Sequence, residues 1–517
     1  MTMTEIGMLF VRRVDMNNTV LSKNNIEMKR IGWIVAIGLL LVISGIYYLR
    51  FSNIDSSNER IEDSLSIMDS KEISGSPSDG KLLKDSSIGV ETDSSPNKNS
   101  EIEKSAITIA DNKSSKLNSD TLNLRDFGVV GNGNNETIGF QKALNASVGK
   151  VLFIPKQQGK YYLTRQLRIP SNTKLVFDSN VIVQATDDLK QDHANFEVLF
   201  RIENANNINI QANNALFRMN KSAYSGEHNH IFMINGSSKV LINKARANNS
   251  GGDGFYIGAY KSNKKLCEDI TITNSVADNN RRQGVSVISA KNLLIDHCVF
   301  KNTSGTSPQS GLDIEPNKYS DILENIVIKN CKSQENAGRG FMFAISSFDS
   351  RSKAVSINVE NCQAYDNYVG FASVYFLDGS RGTISFDNCK AYRSKYSGFL
   401  EASCSSDGIK KIYRNCEAIN SNQSRDKSQK GSYASSFYIF ESDRQPRRSI
   451  GNSVFENCKS TVQDKNSNIL RGISVLEKGN AIAKGITINN FQSKGHKELP
   501  VKLDVKSSIT AKNIQVR

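Results

Sequence analysis

The sequence predicts an all-β fold beyond residue 120, a solenoid of stacked parallel coils. Three recurrences carry that expectation. Short alternating apolar segments repeat at a near-constant period, a glycine opens one segment of each repeat, and a cysteine or another small residue closes another.

The chain has 517 residues, of which 38% are hydrophobic and 23% charged, which excludes a wholly disordered polypeptide. Lys and Arg (66) exceed Asp and Glu (52), for a formal net charge of +14. That balance favours an anionic partner: nucleic acid, an acidic polysaccharide or an anionic envelope surface.

Taken in chain order, the first element is an anchor. Ile31 to Leu49 read IGWIVAIGLLLVISGIYYL, without a charge. At ~1.5 Å per residue this spans a hydrocarbon core of about 30 Å. Lys29 and Arg30 precede it, with Arg12, Arg13 and Lys23 further upstream, so the positive-inside bias leaves residues 1–30 in the cytoplasm and the rest outside. A cleaved signal peptide would have a shorter apolar region and a small-x-small site. SGIYYLRF follows instead, so residues 31–50 are expected to be an uncleaved single-pass helix, with Met28 as an alternative start. Residues 51–120 are rich in Ser, Asp, Lys and Asn and have no aromatic after Phe51, the composition of a disordered tether.

The repeat follows. DITITNSVADNNRRQGVSVIS from Asp269, NIVIKNCKSQENAGRGFMFAI from Asn325, VSINVENCQAYDNYVGFASVY from Val355 and TISFDNCKAYRSKYSGFL from Thr383 share one pattern. An alternating strand ends in Asn-Cys, a polar turn follows, and a glycine opens a second alternating strand. Those glycines are Gly254, Gly284, Gly311, Gly340, Gly370 and Gly398, spaced 30, 27, 29, 30 and 28 residues apart. Alternation sends Phe255/Ile257, Val285/Val287, Leu312/Ile314 and Phe341/Phe343 inward. Cys298, Cys331, Cys362, Cys389, Cys416 and Cys458 share a position that Ser275 and Ala245 fill in earlier coils. This implies an internal row of free thiols rather than disulfides, with Cys267 and Cys404 off the row and exposed. Asn274, Asn330, Asn361, Asn388, Asn415 and Asn457 precede that row at a bend, and His297 holds the same position.

NLRDFGVVGNGNNETIGFQKALN, from Asn123, resembles the opening of pectate-lyase-like proteins, the polygalacturonase, rhamnogalacturonase and epimerase group. There a D-F-G-A-x-G-D-G-x-x-D-D-T stretch precedes a capping helix ending in Q-x-A. Asn132, Asn134 and Asn135 stand here in place of the usual Asp. KVLFIPKQQGKYYLTRQLRIPSNTKLVFDSNVIVQA, from Lys150, is similar to the family's next stretch. The resemblance implies a right-handed parallel β-helix over residues 121–517, with a short N-terminal capping helix at Glu136–Ser147.

Stacking the repeat places Asp253, Gln283, Ser310 and Arg339 in one row before the glycines, and Tyr256, Ser286, Asp313 and Met342 in the next outward row. Asp313 and Glu315 are i and i+2 on a strand, ~6.5–7 Å apart on one side. Carboxylates at ~6.5–9.5 Å suit inverting glycoside hydrolysis. Asp253, Asp313 and Glu315 are therefore the candidate catalytic residues, and Tyr256, Arg281, Arg282, Gln283 and Arg339 the candidate substrate-binding ones. GGDGFYIG, at 251–258, also resembles the N-T-D-G-I segment of polygalacturonases, which implies an acid or base role for Asp253. The family's double-Asp and Gly-His-Gly segments are absent, RRQG standing at 281–284. Lyase or C5-epimerase chemistry thus stays open, with Tyr256 or His297 as alternative acid or base. The segment GEHNH, at 226–230, reads as a loop rather than a metal site.

The expectation is a membrane-anchored extracytoplasmic enzyme acting on an anionic, uronate-containing polysaccharide. Hydrolysis leads, lyase or epimerase chemistry follows, and a glycan-binding surface protein or adhesin is the non-catalytic alternative. No cofactor or metal is indicated, a calcium ion being compatible with the surface but required by no motif. Nucleic acid is not an expected partner, because the basic residues are scattered through turns.

Overall fold

The computed structural model describes residues 120–516, apart from 263–265, 424–434, 443–446, 465–466, 468, 497–500 and 506–508. The expected cytoplasmic segment, membrane helix and nearly all of the tether lie outside the described residues. Among the described residues no helix is long and apolar enough to cross a membrane.

Each repeat folds into one coil of three strands. In one coil these are Ala290–Asp296, Val299–Lys301 and Ser310–Ile314. Each pairs in parallel with its counterpart one repeat later: Leu293 with Ile326, Phe300 with Ser333 and Leu312 with Phe341. Repetition builds three sheets of 14, 12 and 13 strands among the described residues. Alternation decides what fills the interior. Phe255, Ile257, Val285, Val287, Leu312, Ile314, Phe341 and Phe343 are all fully buried. Like residues stack on like: the rings of Phe341 and Phe371 lie 4.9 Å apart and nearly parallel, as do Phe371 and Phe399. Each such pair adds ~0.5–1.5 kcal/mol beyond area burial.

The glycine row has a steric cause. A Cβ on Gly284 would lie 2.4 Å from the carbonyl oxygen of Gly311 in the next coil, and one on Gly340 would lie 2.6 Å from that of Gly370. The bend residues Asn274, Asn330, Asn361, Asn388, Asn415 and Asn457 have φ between 51° and 54°, the left-handed region that asparagine tolerates. Their amides bond from coil to coil, Asn388 Nδ2 donating to Asn361 Oδ1 at 2.7 Å.

All eight cysteines are free and buried. The row thiols donate to carbonyls of the preceding coil, as Cys298 does to Ile272 and Cys362 to Ile328. Cys267 and Cys404, expected at the surface, are also buried, at 0% and 1% exposure. Cys267 begins the strand Cys267–Thr273 and donates to Gly258 at 3.1 Å, while Cys404 donates to Ser373 at 3.3 Å. Both close coil corners from within, a placement that the repeat alone does not specify.

The helix Thr137–Ala146 buries Phe140, Ala143 and Leu144. Phe140 meets Tyr162 of the first coil edge-on at 6.0 Å, and Gln141 bonds the backbone of Arg168.

Candidate functional site

The 12-stranded sheet carries the site. Its outward row runs Met233, Tyr256, Ser286, Asp313, Met342 in register across successive coils. The row before the glycines begins one coil earlier than the sequence reading placed it. Phe232 pairs with Phe255, so His230 stacks on Asp253, and Ile231 N–H donates to the Asp253 carbonyl.

These positions were expected on an open face. The structure buries them instead: Asp253 and Gln283 are 0% exposed, Asp313 1%, Tyr256 8% and Arg339 8%. Arg282 covers them. Its Nε lies 2.9 Å from Glu227 Oε2, its Nη2 3.0 Å from Glu315 Oε2 and its Nη1 3.9 Å from Asp253 Oδ2. Gln283 holds Asp313 from the other side, its Nε2 donating to Asp313 Oδ2 at 2.9 Å. The Gln283 side chain is itself fixed, because Oε1 accepts the Ser310 N–H at 2.8 Å. The Asp253 carboxyl has only the Ser286 hydroxyl within reach, and among the described residues Asp313 Oδ1 has no hydrogen-bond partner.

Burial without full pairing disfavours the charged form. It pushes the Asp253 carboxyl up to about 7, against the opposing pull of Arg282. Burial also holds Asp313 well above the usual carboxylate range; Glu315 adds to the shift while Arg282 and Arg339 oppose it. His230 is held well below its ordinary value, again by burial. At neutral pH Asp253 therefore divides between its two forms and His230 is neutral, while burial shifts Asp313 toward its protonated form. His230 stacks on Tyr256 at 4.9 Å, and burial raises the Tyr256 phenol.

The structure thus gathers Asp253, Asp313, Glu315, Tyr256, Arg282, Gln283 and Arg339. Two expected members lie elsewhere. Arg281 follows the backbone to the opposite side of Arg282: its Nε donates to Thr306 Oγ1, and it lines a separate cavity with Lys221 and Arg218. His297 sits at the bend after the strand Ala290–Asp296, in the 14-stranded sheet. Its φ is 52°, its side chain is 61% exposed, and its Nδ1 lies 2.7 Å from Asp296. It occupies an asparagine position and does not reach the carboxylates.

Two residues of the set-aside segment GEHNH enter the site, Glu227 as a partner of Arg282 and His230 beside Asp253. The signal was the repeat itself: GEHNHIFMI is one coil upstream of GGDGFYIG, with an apolar strand in the same phase. Beside them His228 stacks on Phe196 at 4.9 Å, and its Nε2 lies 2.6 Å from His193 Nδ1. Phe196 also meets Tyr260 at 5.5 Å. Among the described residues no group of three or more His, Cys, Asp or Glu side chains is arranged to hold a metal ion.

Residues 206–381 match the family described as "Right handed beta helix region". No curated protein sequence matches the chain. Among solved structures, the Family 28 exopolygalacturonase of Yersinia enterocolitica superposes with a TM-score of 0.50 at 12% identity, over 78% of this chain and 79% of that one. The pre-mature gene product 12 of bacteriophage phi29 does so with a TM-score of 0.50 at 13% identity, over 76% of this chain and 57% of that one, little more than half its length. A mannuronan C-5 epimerase A-module of Azotobacter vinelandii has a TM-score of 0.49 at 13% identity, over 76% and 99%. At such identities the likeness is one of fold, a right-handed parallel β-helix.

Proposed function

We propose that the protein is a polysaccharide-active enzyme, held at the outer face of a membrane by residues 31–50, that hydrolyses an anionic, uronate-containing polymer. One observation carries this reading. Two buried carboxyls with raised pKa, Asp253 and Asp313, lie two coils apart around one arginine. Buried carboxyls that are only partly paired cost a solenoid stability, and their clustering at one place points to chemistry.

The roles follow from the protonation states. Asp313, whose burial favours the protonated form, donates its proton to the glycosidic oxygen. Asp253, poised near neutrality, takes a proton from the attacking water. The two flank Arg282 from coils two apart, an acid and a base of the kind that inverting hydrolysis places on either side of its water. Arg282, released from Glu315, is the group to receive a uronate carboxylate, since Glu315 is partly exposed and exchangeable. Gln283 holds Asp313 in place, and the Arg339 charge lies near enough to favour its ionised form. A polygalacturonase among the structures of like fold supports a pectin-type substrate.

Lyase or epimerase chemistry on this face needs a base for the C5 proton. Arg282 is a poor one, because its carboxylate partners raise its pKa further. Tyr256 is raised as well. Asp253 with His230 is the remaining base. A non-catalytic glycan-binding role has its own support, the complete burial of Asp253 beneath Arg282.

The test is to incubate the full-length protein in detergent with a panel of acidic polysaccharides, following reducing ends and the ultraviolet absorbance of unsaturated uronates together. Hydrolysis predicts new reducing ends without absorbance, lost in Asp313→Asn. Absorbance rising with the ends would replace hydrolysis by elimination. Saturable binding with neither product would leave the binding role.

A further inference from the structure

The cavity that takes Arg281 away from the carboxylates has its own chemistry. It is an open depression of about 550 Å³, lined by Gln184, Arg218, Lys221, Asn249, Asn279 and Arg281. Three cations line it and no acid does. Among the described residues none of the three has an ion-pair partner. Lys221 Nζ donates to Asn279 Oδ1 at 2.9 Å and Ser304 Oγ at 3.2 Å, both neutral. Arg218 Nε bonds the Gln184 amide oxygen, and Arg281 Nε the Thr306 hydroxyl. Two acids border it and neither pairs with its cations: Asp187 accepts from Asn220, and Asp278 is held by Lys301 and Asn302. Burial and the Arg281 charge together lower Lys221 to about 8, so the cations repel one another with nothing between them. Gln184 and Arg218 end or nearly end their strands and Asn249 and Asn279 directly follow theirs, four consecutive strands of the 13-stranded sheet that build this wall.

We infer that this cavity is a second anion subsite, in which Lys221, Arg218 and Arg281 bind the carboxylate or sulfate group of a sugar residue neighbouring the one over Asp313. The inference rests on the reading of the adjacent carboxylate cluster as a polysaccharide site. Arg281 and Arg282 are consecutive, ~3.8 Å apart at Cα, and turn their guanidinium groups to opposite sides. A charged polymer crossing that ridge meets a cation on each side, which selects for substituents on successive residues. The bound anion would offset the mutual repulsion and raise the Lys221 pKa.

The amine of Lys221 reports occupancy without any turnover. Full-length protein in detergent is acetylated at pH 8 with acetic anhydride, alone and with glucuronate, inorganic sulfate or glucose. Modification is read by mass spectrometry, with exposed Lys142 as internal control. The expected result is that glucuronate or sulfate slows acetylation of Lys221 about tenfold while glucose does not, and that Lys142 is unaffected. Protection by glucuronate alone assigns a carboxylate ligand, and protection by sulfate alone a sulfated one. Arg281→Met should remove the protection while leaving Lys221 reactive. Equal acetylation under all four conditions would overturn the subsite. Protection that persists in a protein with no activity on any polymer would sink the hydrolase reading and leave the subsite standing; turnover without protection would do the reverse.

Discussion

Asp253 Oδ2 lies 3.3 Å from His230 Nδ1, and the same nitrogen accepts the Asp253 backbone N–H at 3.0 Å. The ring nitrogen that faces the carboxylate therefore has no proton to give it. The histidine fixes the Asp253 backbone without stabilising its charge, which leaves the carboxyl free to sit near neutrality.

That arrangement makes stability depend on pH. Asp253 is raised from an ordinary 3.8 to about 7 in the folded chain. Between those values the folded form binds the proton more tightly than the unfolded one, so its contribution is complete below about 4 and is lost as pH rises through about 7. The Asp253 contribution to the melting temperature should fall from pH 5 to pH 8, while the depressed His230 acts in the opposite sense below its ordinary value. Asp253→Asn should flatten that slope and melt higher than the wild type at pH 8. An unchanged slope would show that the carboxyl is already ionised in the folded state.

Arg282 holds the cluster together. Arg282→Met leaves Asp253 buried without its cation, and removing one partner of a buried pair costs roughly 3–5 kcal/mol. Protonation of Asp253 absorbs part of that cost at low pH. Urea unfolding should therefore show a larger loss of midpoint at pH 8 than at pH 5.

Asp313→Asn keeps shape and removes the transferable proton. If Asp313 is the general acid, the rate of polymer cleavage should fall by ~10²–10⁴ with the melting temperature preserved. A fall below tenfold would reassign the role to Asp253 or Glu315.

The glycine row should resist any side chain. On Gly311 a Cβ would come 2.1 Å from Ser333 Oγ and 2.7 Å from the Gly340 carbonyl. Gly311→Ala should cost about 1–3 kcal/mol through overpacking. Gly226→Ala, with nothing within 4 Å, should stay within ~0.5 kcal/mol in the same denaturation assay.

Burial raises the Cys298, Cys331 and Cys416 thiols well above their ordinary value, so no reactive thiolate forms at pH 8. The native protein should not react with an aromatic disulfide reagent, whereas all eight cysteines should react in denaturant. A reductant should leave the melting temperature unchanged.

The coil was legible because each of its rules is local and repeated. Inward phenylalanines, the glycine row and the asparagine bends all follow from alternation, Cβ clearance and left-handed backbone, and a residue such as His297 inherits its place from the row it stands in. The outward row Tyr256, Ser286, Asp313, Met342 was legible for the same reason, since parallel pairing preserves register. Burial of that row was not. It depends on Arg282, a turn residue outside the strand alternation, folding across two coils to Glu227 and Glu315. Nor did the period show that Cys267 and Cys404 close corners from within, or that Arg281 parts from Arg282.

Period and phase are properties of consecutive residues, and they sufficed for the solenoid, its inward core and the stacking of candidate carboxylates on one sheet. Solvent exposure, pairing and protonation are properties of neighbours that come from different coils and from loops whose course no repeat constrains. For that reason the residue types of the site could be read along the chain, while the raised carboxyls, the entry of His230 and Glu227, and the separate basic cavity came only from the packing of turns over the sheet.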